Sequence, residues 1–585
     1  MTYRERILSM LKSPAVTDIF QWSRPVRRMI MLICLLNLIL SGSSLVITLA
    51  TKGLIDGATG HDLQQVKLYA VLMAVTVILI RVCSVISGLV STKANAVLMR
   101  DMRSMVLHRV LKKQYASVGV YHSGELVNRM FSDVNVVKSG ITGIFPQLVS
   151  MAVSFFGAAF ILMSMDWRFV ILLVVGGLIG LAMIVGFRKP MSERHKAVQE
   201  KEGKLHSVLQ ETLGNLRFIK ASGLEGNMEK QSDDAQADFL KVQLNRGYFS
   251  TAMNCSINTV FQLSWLICML WGGVGIYKGA LTYGSLAAII QLVGQIQGPI
   301  AAAADIAGQA YSTVSSAERL KEVLDLPEEE DSESERTTAS GPELYRNLNA
   351  IILDDVSFDY GREPVLCGVN AEIKTGDFVA VTGVSGSGKS TLFQLLLGIY
   401  QPKTGSVELG FDRAGGVALA ALTVDGMTAG GETMLKASKK TRPLFAYVPQ
   451  GNILFSGTLR ENLMMFNEGA TDEELYNATK LACIDHLVEQ LDDGLDTMLG
   501  ERGVGLSEGQ AQRVAVARAI LSHAPVLLLD ECTSALDEET EARLLENISR
   551  MKDRTCFIVT HRRAAMSICD YRLLIENGKL VKMEC

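Results

Sequence analysis

Residues 383–390 read Gly-Val-Ser-Gly-Ser-Gly-Lys-Ser, an order of residue types suited to holding phosphate. Glycines at Gly383, Gly386 and Gly388 let successive backbone N–H groups turn toward an anion. Lys389 can reach a β- or γ-phosphate, and the Ser390 hydroxyl can ligate Mg²⁺. Ser385, Ser387 and Thr391 complete the candidate nucleotide-binding set. The apolar run Val379–Thr382 just before the loop reads as a buried strand. A helix opening at Thr391 would then aim its positive end at the phosphates.

A second chemical element occupies residues 526–531, Val-Leu-Leu-Leu-Asp-Glu, an apolar strand that ends in two carboxylates. Asp530 is placed to hold Mg²⁺, directly or through water, and Glu531 to orient or deprotonate an attacking water. Alone, such a pair reads as a helix N-cap. Its company with the phosphate loop favours nucleotide hydrolysis, with ATP and Mg²⁺ as the expected cofactors.

These groups need a scaffold. Over residues 346–585, apolar β-rich runs (Phe378–Thr382, Val526–Asp530, Cys556–Thr560) alternate with helical segments, so an α/β domain is expected. The whole chain, 585 residues and 63.7 kDa, is too long for one core. Hydrophobic residues at 48%, charged residues at 20% and mean hydropathy of +0.24 exclude a disordered or collagen-like chain. The net charge of −4 conceals a division. Residues 1–327 carry 32 Lys and Arg against 21 Asp and Glu, whereas residues 328–585 carry 25 against 40.

The basic half holds six apolar stretches, Met29–Ala50, Leu68–Val90, Gly143–Met165, Phe169–Phe187, Met253–Ile276 and Ser285–Ala307. About 20 residues cross a hydrocarbon core of roughly 30 Å, and most of these stretches suffice. The last is weaker, carrying Gln291, Gln295, Gln297 and Pro299. Residues 1–28 show no cleavable signal pattern. Ile7, Leu8, Met10 and Leu11, then Trp22, Arg24, Arg27 and Arg28, suit a helix lying on the inner membrane face. The long connections 91–142 and 188–252 are rich in Lys and Arg, so they are expected on the cytoplasmic side, as helices continuing past the bilayer. The expected architecture is an all-α six-helix transmembrane domain (29–326) followed by an α/β P-loop nucleotide-binding domain (346–585). Between them, the acidic, Ser-rich run 327–345 reads as a solvated linker. The ten cysteines show no metal or disulfide spacing and read as small buried apolar residues.

Together these motifs resemble the ATP-binding cassette (ABC) superfamily. Leu506-Ser507-Glu508-Gly509-Gln510, continued by Ala511-Gln512-Arg513, looks like the family signature, with Glu508 where Gly is usual. By the resemblance, Tyr360 stacks on adenine, and Gln450 is the Q-loop glutamine, a catalytic and metal-binding position. Ser534–Asp537 is the D-loop, His561 the switch histidine, and Gly500–Gly503 a loop near the coupling helices. The 405–447 segment exceeds its counterpart in the family and is expected as an extended surface hairpin, a regulatory insertion being the alternative. His122–Arg129 with Asp133-Val134, and Glu211–Ala221, look like the two intracellular loops of the exporter branch. Ala317-Glu318-Arg319 and Asp325 resemble the exit from its sixth helix. The chain thus resembles an exporter-type half-transporter.

The resemblance implies a dimer in which ATP lies between the phosphate loop of one chain and Ser507, Gly509 and Gln510 of the other. Glu531, His561 and Gln450 are then the catalytic set. A homodimer is expected, with a heterodimer as the alternative. Membrane lipids and a translocated substrate are the other expected partners; nucleic acid is not. The expected place is a bacterial plasma membrane with the nucleotide domain in the cytoplasm. The implied function is ATP-driven export of a peptide, lipid or amphipathic small molecule by alternating access. An ATP-gated regulator or channel is the alternative. For the substrate, Arg81 stands mid-way along an apolar crossing, where a charge usually faces a bundle interior or cavity; the alternatives are contact with an anionic ligand group, a partner such as Asp305, or a snorkelled position. Gln291 with Gln295, and Asn254 with Asn258, each share a helix face suited to a cavity lining or an interhelical hydrogen bond.

Overall fold

A computed structural model describes residues 13–329, 348–361, 363–411, 427–429, 432–451, 454–500, 505–551 and 553–584. The chain divides into two compact units, one built from its start to Leu111 and from His122–Asp325, the other from Lys112–Tyr121 and Leu326–Cys585.

Among the described residues the first unit is built from helices. Its helices are α1 (Pro14–Trp22), α2 (Arg27–Thr59), α3 (Leu63–Val110), α5 (Ser123–Asn128), α6 (Val134–Met165), α7 (Trp167–Gly214), α8 (Leu216–Ser222), α9 (Glu225–Tyr277) and α10 (Tyr283–Leu324). The short α4 (Tyr115–Val118) belongs to the second unit. Among the described residues six helices, containing α2, α3, α6, α7, α9 and α10, are long and apolar enough to cross a membrane, and each contains one of the expected apolar stretches. Helices α3, α7, α9 and α10 run 42–53 residues. At 1.5 Å per residue that is roughly 63–80 Å, about twice a bilayer core. Tight links are set by side-chain caps: Asp62 accepts from Gln64 and Gln65 N–H, Asp166 from Arg168 N–H, and Thr282 from Ser285 N–H.

One cluster buries Leu98, Met102 and Val106 of α3 against Val134, Val137 and Ile141 of α6 and Leu320 and Leu324 of α10. Next to it, the π-turn Arg129–Asp133 buries two charges, each paired. Arg129 donates to Glu125 at 2.8 Å and Glu322 at 3.1 Å, and Arg319 donates to Asp133 at 3.1 Å. Helix α1 is tied to α10 by Lys321–Asp18 at 2.6 Å and by the Ser13 hydroxyl on Glu318 at 2.7 Å. The amphipathic residues Ile7–Leu11 lie outside the described residues.

The second unit is α/β. A six-stranded sheet has the order β13-β12-β3-β11-β10-β7, comprising β3 (Phe378–Thr382), β7 (Phe445–Val448), β10 (Val526–Asp530), β11 (Thr555–Val559), β12 (Tyr571–Glu576) and β13 (Lys579–Glu584). All pairings are parallel except β12 with β13. Such strands are covered on both faces and read as unbroken apolar runs. Ala380, Leu527, Leu529 and Ile558 face one core, which includes α15 (Glu508–Leu521). Val379, Val381, Leu528 and Phe557 face the other, with Leu392 and Phe393 of α11 (Lys389–Leu396).

An antiparallel sheet, β2-β1-β4-β6-β5, contains β1 (Leu348–Asp359), β2 (Pro364–Lys374), β4 (Thr404–Phe411), β5 (Met427–Ala429) and β6 (Glu432–Lys436). The long 405–447 segment therefore supplies strands to this sheet, although residues 412–426 and 430–431 lie outside the described residues. The remaining elements are β8 (Gly457–Thr458), β9 (Met498–Leu499), α12 (Leu459–Met464), α13 (Asp472–Leu481), α14 (Asp485–Gln490), α16 (Glu538–Ser549) and α17 (Arg563–Met566).

The start of the acidic run is held rather than loose. Lys113, with a nearly buried side chain, donates to Glu328 at 2.9 Å, and Arg442 grips both oxygens of Glu329 at 2.8 and 3.1 Å. Those counter-charges convert the first acidic residues of the run from solvated groups into anchors. Residues 330–345 lie outside the described set.

Candidate nucleotide site

Parallel strands deliver their carboxyl ends to one edge of the sheet, where open α/β sheets bind ligands. Strand β3 ends at Thr382 and hands over to the phosphate loop, β7 is followed by Gln450, β10 ends at Asp530, and β11 precedes His561. Because β3, β11, β10 and β7 are neighbours in that order, the four segments are brought together by sheet topology alone.

The loop enters α11 through Gly388, whose φ of +104° is a conformation that side-chain-bearing residues rarely adopt. Lys389 is buried, and its ammonium donates to the carbonyls of Gly383 at 2.8 Å and Val384 at 3.0 Å. The Ser387 hydroxyl is buried without a hydrogen-bond partner. A buried cation on neutral carbonyls beside an orphaned hydroxyl fits an anionic phosphate. The Ser390 hydroxyl hydrogen-bonds the Asp530 carboxylate. Asp530 is 2% exposed, and burial raises its pKa above the usual carboxylate range. The Tyr447 hydroxyl reaches Asp530 at the long distance of 3.5 Å. Among the described residues no group of three or more His, Cys, Asp or Glu could hold a metal. The available donor set is mixed, a hydroxyl, a carboxylate and an amide oxygen, which suits hard Mg²⁺.

Gln450 donates through Nε2 to Glu531 Oε2 at 2.7 Å. Glu531 has φ of +50°, a left-handed conformation costing about 1–3 kcal/mol in a non-glycine residue. His561 is exposed at the same edge. Tyr360 follows β1, and its half-exposed ring stands edge-on to Phe358 (centroids 5.0 Å apart) and Tyr400 (5.4 Å). Its hydroxyl lies 3.0 Å from Thr391 Oγ1 and donates to Gln394 at 3.1 Å.

Ser507, Gly509 and Gln510 sit elsewhere, at the start of α15. Ser507 and Gln510 form a reciprocal capping box, with Ser507 N–H donating to Gln510 Oε1 at 2.7 Å and Gln510 N–H to Ser507 Oγ at 3.3 Å. Glu508 occupies the first turn, where the helix dipole favours an acid, so the replacement of the usual Gly matches the local field. Gly509 has no room for a side chain: a Cβ would lie 2.8 Å from the Ala535 carbonyl oxygen. Gln512 bonds the same stretch, donating to Ser534 Oγ at 2.9 Å and accepting from Ala535 N–H at 3.2 Å. None of these contacts involves the phosphate loop. Glu501–Gly503 lie outside the described residues.

Arg562 and Tyr400 escaped the sequence motifs, and Gln512 stood in the signature run without an assigned role. Arg562, beside His561, donates to the carbonyls of Leu536 and Ser534, both at 3.0 Å, and to Glu541 at 2.6 Å. Tyr400 packs on Tyr360, and Gln512 holds the Ser534–Ala535 stretch. The sequence signals available were the adjacency of Arg562 to His561 and the place of Gln512 in the signature run.

In the helical unit, Gln295 is an interhelical donor, to Ser44 Oγ and Thr48 Oγ1 at 3.1 Å each. Arg81 and Asp305 are both exposed, and among the described residues they do not pair. Arg81 stands beside Ile78 and Val82 on an exposed apolar face of α3, not in the interior of the chain's own bundle. Among the described residues all cysteines are free, and Cys255 departs from the buried pattern by being exposed.

Residues 29–300 match the family profile described as the ABC transporter transmembrane region, and residues 366–534 match that described as ABC transporter. The chain is 28% identical over 494 residues to an ATP-dependent lipid A-core flippase of Desulfotalea psychrophila, covering 83% of this chain and 81% of that one. It is 30% identical over 473 residues to a Staphylococcus aureus protein named as a multidrug export ATP-binding/permease protein, covering 78% and 76%. The fold is similar to that of a bacterial Atm1-family ABC exporter with ATP bound, with TM-score 0.76 and 22% identity over 96% of this chain and 95% of the other. Fused in one chain, the two matched regions make this protein a membrane-embedded member of the ABC transporter family, of exporter type.

Proposed function

We propose that the protein is an ATP-hydrolysing exporter that works as a dimer of two identical chains in a bacterial plasma membrane, with its nucleotide domains in the cytoplasm. The observation that carries this reading is the separation of two half-sites on one chain. The phosphate loop with Gln450, Asp530 and Glu531 lies at one sheet edge, while Ser507, Gly509 and Gln510 are bonded or packed to one another and to the Ser534–Leu536 stretch. A second chain would supply the missing signature face, so bound ATP joins two nucleotide domains and hydrolysis releases them.

Within each site the residues have separable tasks. The phosphate-loop N–H groups and Lys389 hold the phosphates, and Tyr360 stacks on the base. Ser390, Asp530 and Gln450 would hold Mg²⁺, which neutralises charge on the transferring phosphoryl group. Glu531 receives the proton of the attacking water, and Gln450 holds that carboxylate in place. His561 stands ready for the γ-phosphate. The lipid A-core flippase and multidrug exporter relatives support an amphipathic cargo.

The test is reconstitution of the full chain in vesicles with ATP outside. Lys389→Ala should abolish ATP turnover and any ATP-driven movement of an amphiphile into the lumen. Turnover that survives this substitution overturns the assignment of the phosphate loop.

A further inference from the structure

Asn254, Asn258 and Gln262 of α9 lie four residues apart and so share one helix face. All three are exposed, and among the described residues none has a hydrogen-bond partner. They lie in a segment apolar enough to cross a membrane. In such a segment an unsatisfied amide is unfavourable, and pairing between helices is the usual remedy. Gln295 on α10 takes that remedy; these three amides do not.

Their face carries shallow, open depressions rather than an enclosed cavity. Two adjoining hollows of about 700 and 650 Å³ share Asn258, Gln262 and Trp265, and the first also takes in Thr251, Asn254 and Cys255. Among the described residues, neither hollow is lined by Lys, Arg, Asp or Glu. The stripe has a direction as well. At 1.5 Å per residue, Gln262 lies about 22 Å and Asn254 about 34 Å from the outer helix end at Tyr277. The amides therefore run from mid-crossing to the inner boundary, with Leu263, Trp265 and Leu266 at the deeper end.

We infer that this face binds the uncharged, hydrogen-bonding head of an amphiphile, rich in hydroxyl or amide groups, loaded from the inner leaflet with its apolar part along Trp265 and Leu266. An ionic head would need a counter-charge in this low-dielectric setting, and the lining offers none. The inference rests on the exporter reading and names the substrate class for it.

Cys255 provides the test, because it is exposed within the hollow. The full chain in lipid nanodiscs is labelled with a maleimide, and the rate at Cys255 is read by peptide mass spectrometry. Three probes share one alkyl chain, carry a glucoside, sulfate or trimethylammonium head, and are used below their micelle concentrations. The alkyl glucoside should slow labelling roughly ten-fold more than either charged analogue, the ratio two amide hydrogen bonds supply. Asn258→Leu with Gln262→Leu should lose the protection, while Asn258→Gln, which keeps an amide, should retain it. Equal or stronger protection by a charged probe overturns the proposal, as does the absence of protection by any probe. Labelling that is blocked without a probe, with Cys255 cross-linking to a second chain, assigns the face to a subunit contact and also overturns it. ATP turnover in the same nanodiscs separates the two readings: turnover without glucoside protection removes only the substrate class, whereas protection without turnover removes the exporter reading.

Discussion

Tyr115 and Tyr400 meet edge to face, with ring centroids 5.9 Å apart and planes at 85°, and Tyr400 meets Tyr360 in the same way at 5.4 Å. Short helix α4, reached from α3, is thereby joined through two aromatic contacts to the tyrosine proposed to stack on adenine. Burial and the two neighbouring tyrosines raise the Tyr400 pKa, so at neutral pH its ring carries a neutral hydroxyl. Tyr400→Ala should raise KM for ATP roughly two- to ten-fold, since an aromatic pair supplies about 0.5–1.5 kcal/mol. Tyr400→Phe should leave KM unchanged because it keeps both ring contacts. Steady-state kinetics decide, and an unchanged KM in Tyr400→Ala removes the link.

The 2.7 Å contact between Gln450 and Glu531 leads to a different expectation. Glu531→Gln preserves an acceptor oxygen for Gln450 but removes the base. ATP binding should persist while turnover falls by about two to four orders of magnitude, the usual weight of general base catalysis. Equilibrium nucleotide binding and single-turnover hydrolysis, measured on one preparation, separate the two effects. Near-normal hydrolysis would show that another group takes the proton.

The legible parts of the fold were those with local signals. Val379–Thr382 and Val526–Asp530 are unbroken apolar runs because both faces of a parallel strand are buried, and they appear as strands β3 and β10. Most of the crossings were equally plain, since stretches such as Leu68–Val90 meet the length that a bilayer imposes, whereas Gln291, Gln295, Gln297 and Pro299 blurred the sixth. Pairings across the chain left no such trace. Lys113 and Glu328 are 215 positions apart, and each is one of many like charges in its region. The left-handed backbone of Glu531 was equally hidden, because no propensity places a glutamate there. The spacing of Asn254 and Asn258 predicted a shared face, but only tertiary structure could reveal that neighbouring helices leave both amides unpartnered.

Arg442 holds the beginning of the acidic run to the nucleotide unit. Its guanidinium grips both oxygens of Glu329 and the carbonyls of Leu397 and Gly398, at 2.8–3.1 Å. Arg442→Ala should cost about 1–2 kcal/mol, a charged hydrogen-bond set discounted for partial solvent access. Arg442→Lys should recover little of it, because a point charge cannot replace a planar fork. Thermal unfolding of the purified chain checks both values. A full recovery by lysine would reduce the contact to simple charge pairing.

Arg562 ties the Ser534–Leu536 stretch to helix α16 through Glu541, which is 1% exposed and has its second oxygen unpaired. Removing the arginine strands a buried carboxylate, so Arg562→Met should cost about 3–5 kcal/mol. Replacing both partners removes the stranded charge, and Arg562→Met with Glu541→Met should recover most of that loss. Function should not recover with it. The carbonyls of Ser534 and Leu536 lose their donor in the single and double variants alike, so the stretch that packs on Gly509 keeps its Gln512 bonds but loses its second anchor in both. A double variant that melts near the wild-type temperature yet hydrolyses ATP slowly would assign Arg562 to positioning. If turnover returns together with stability, its contribution is to the fold alone.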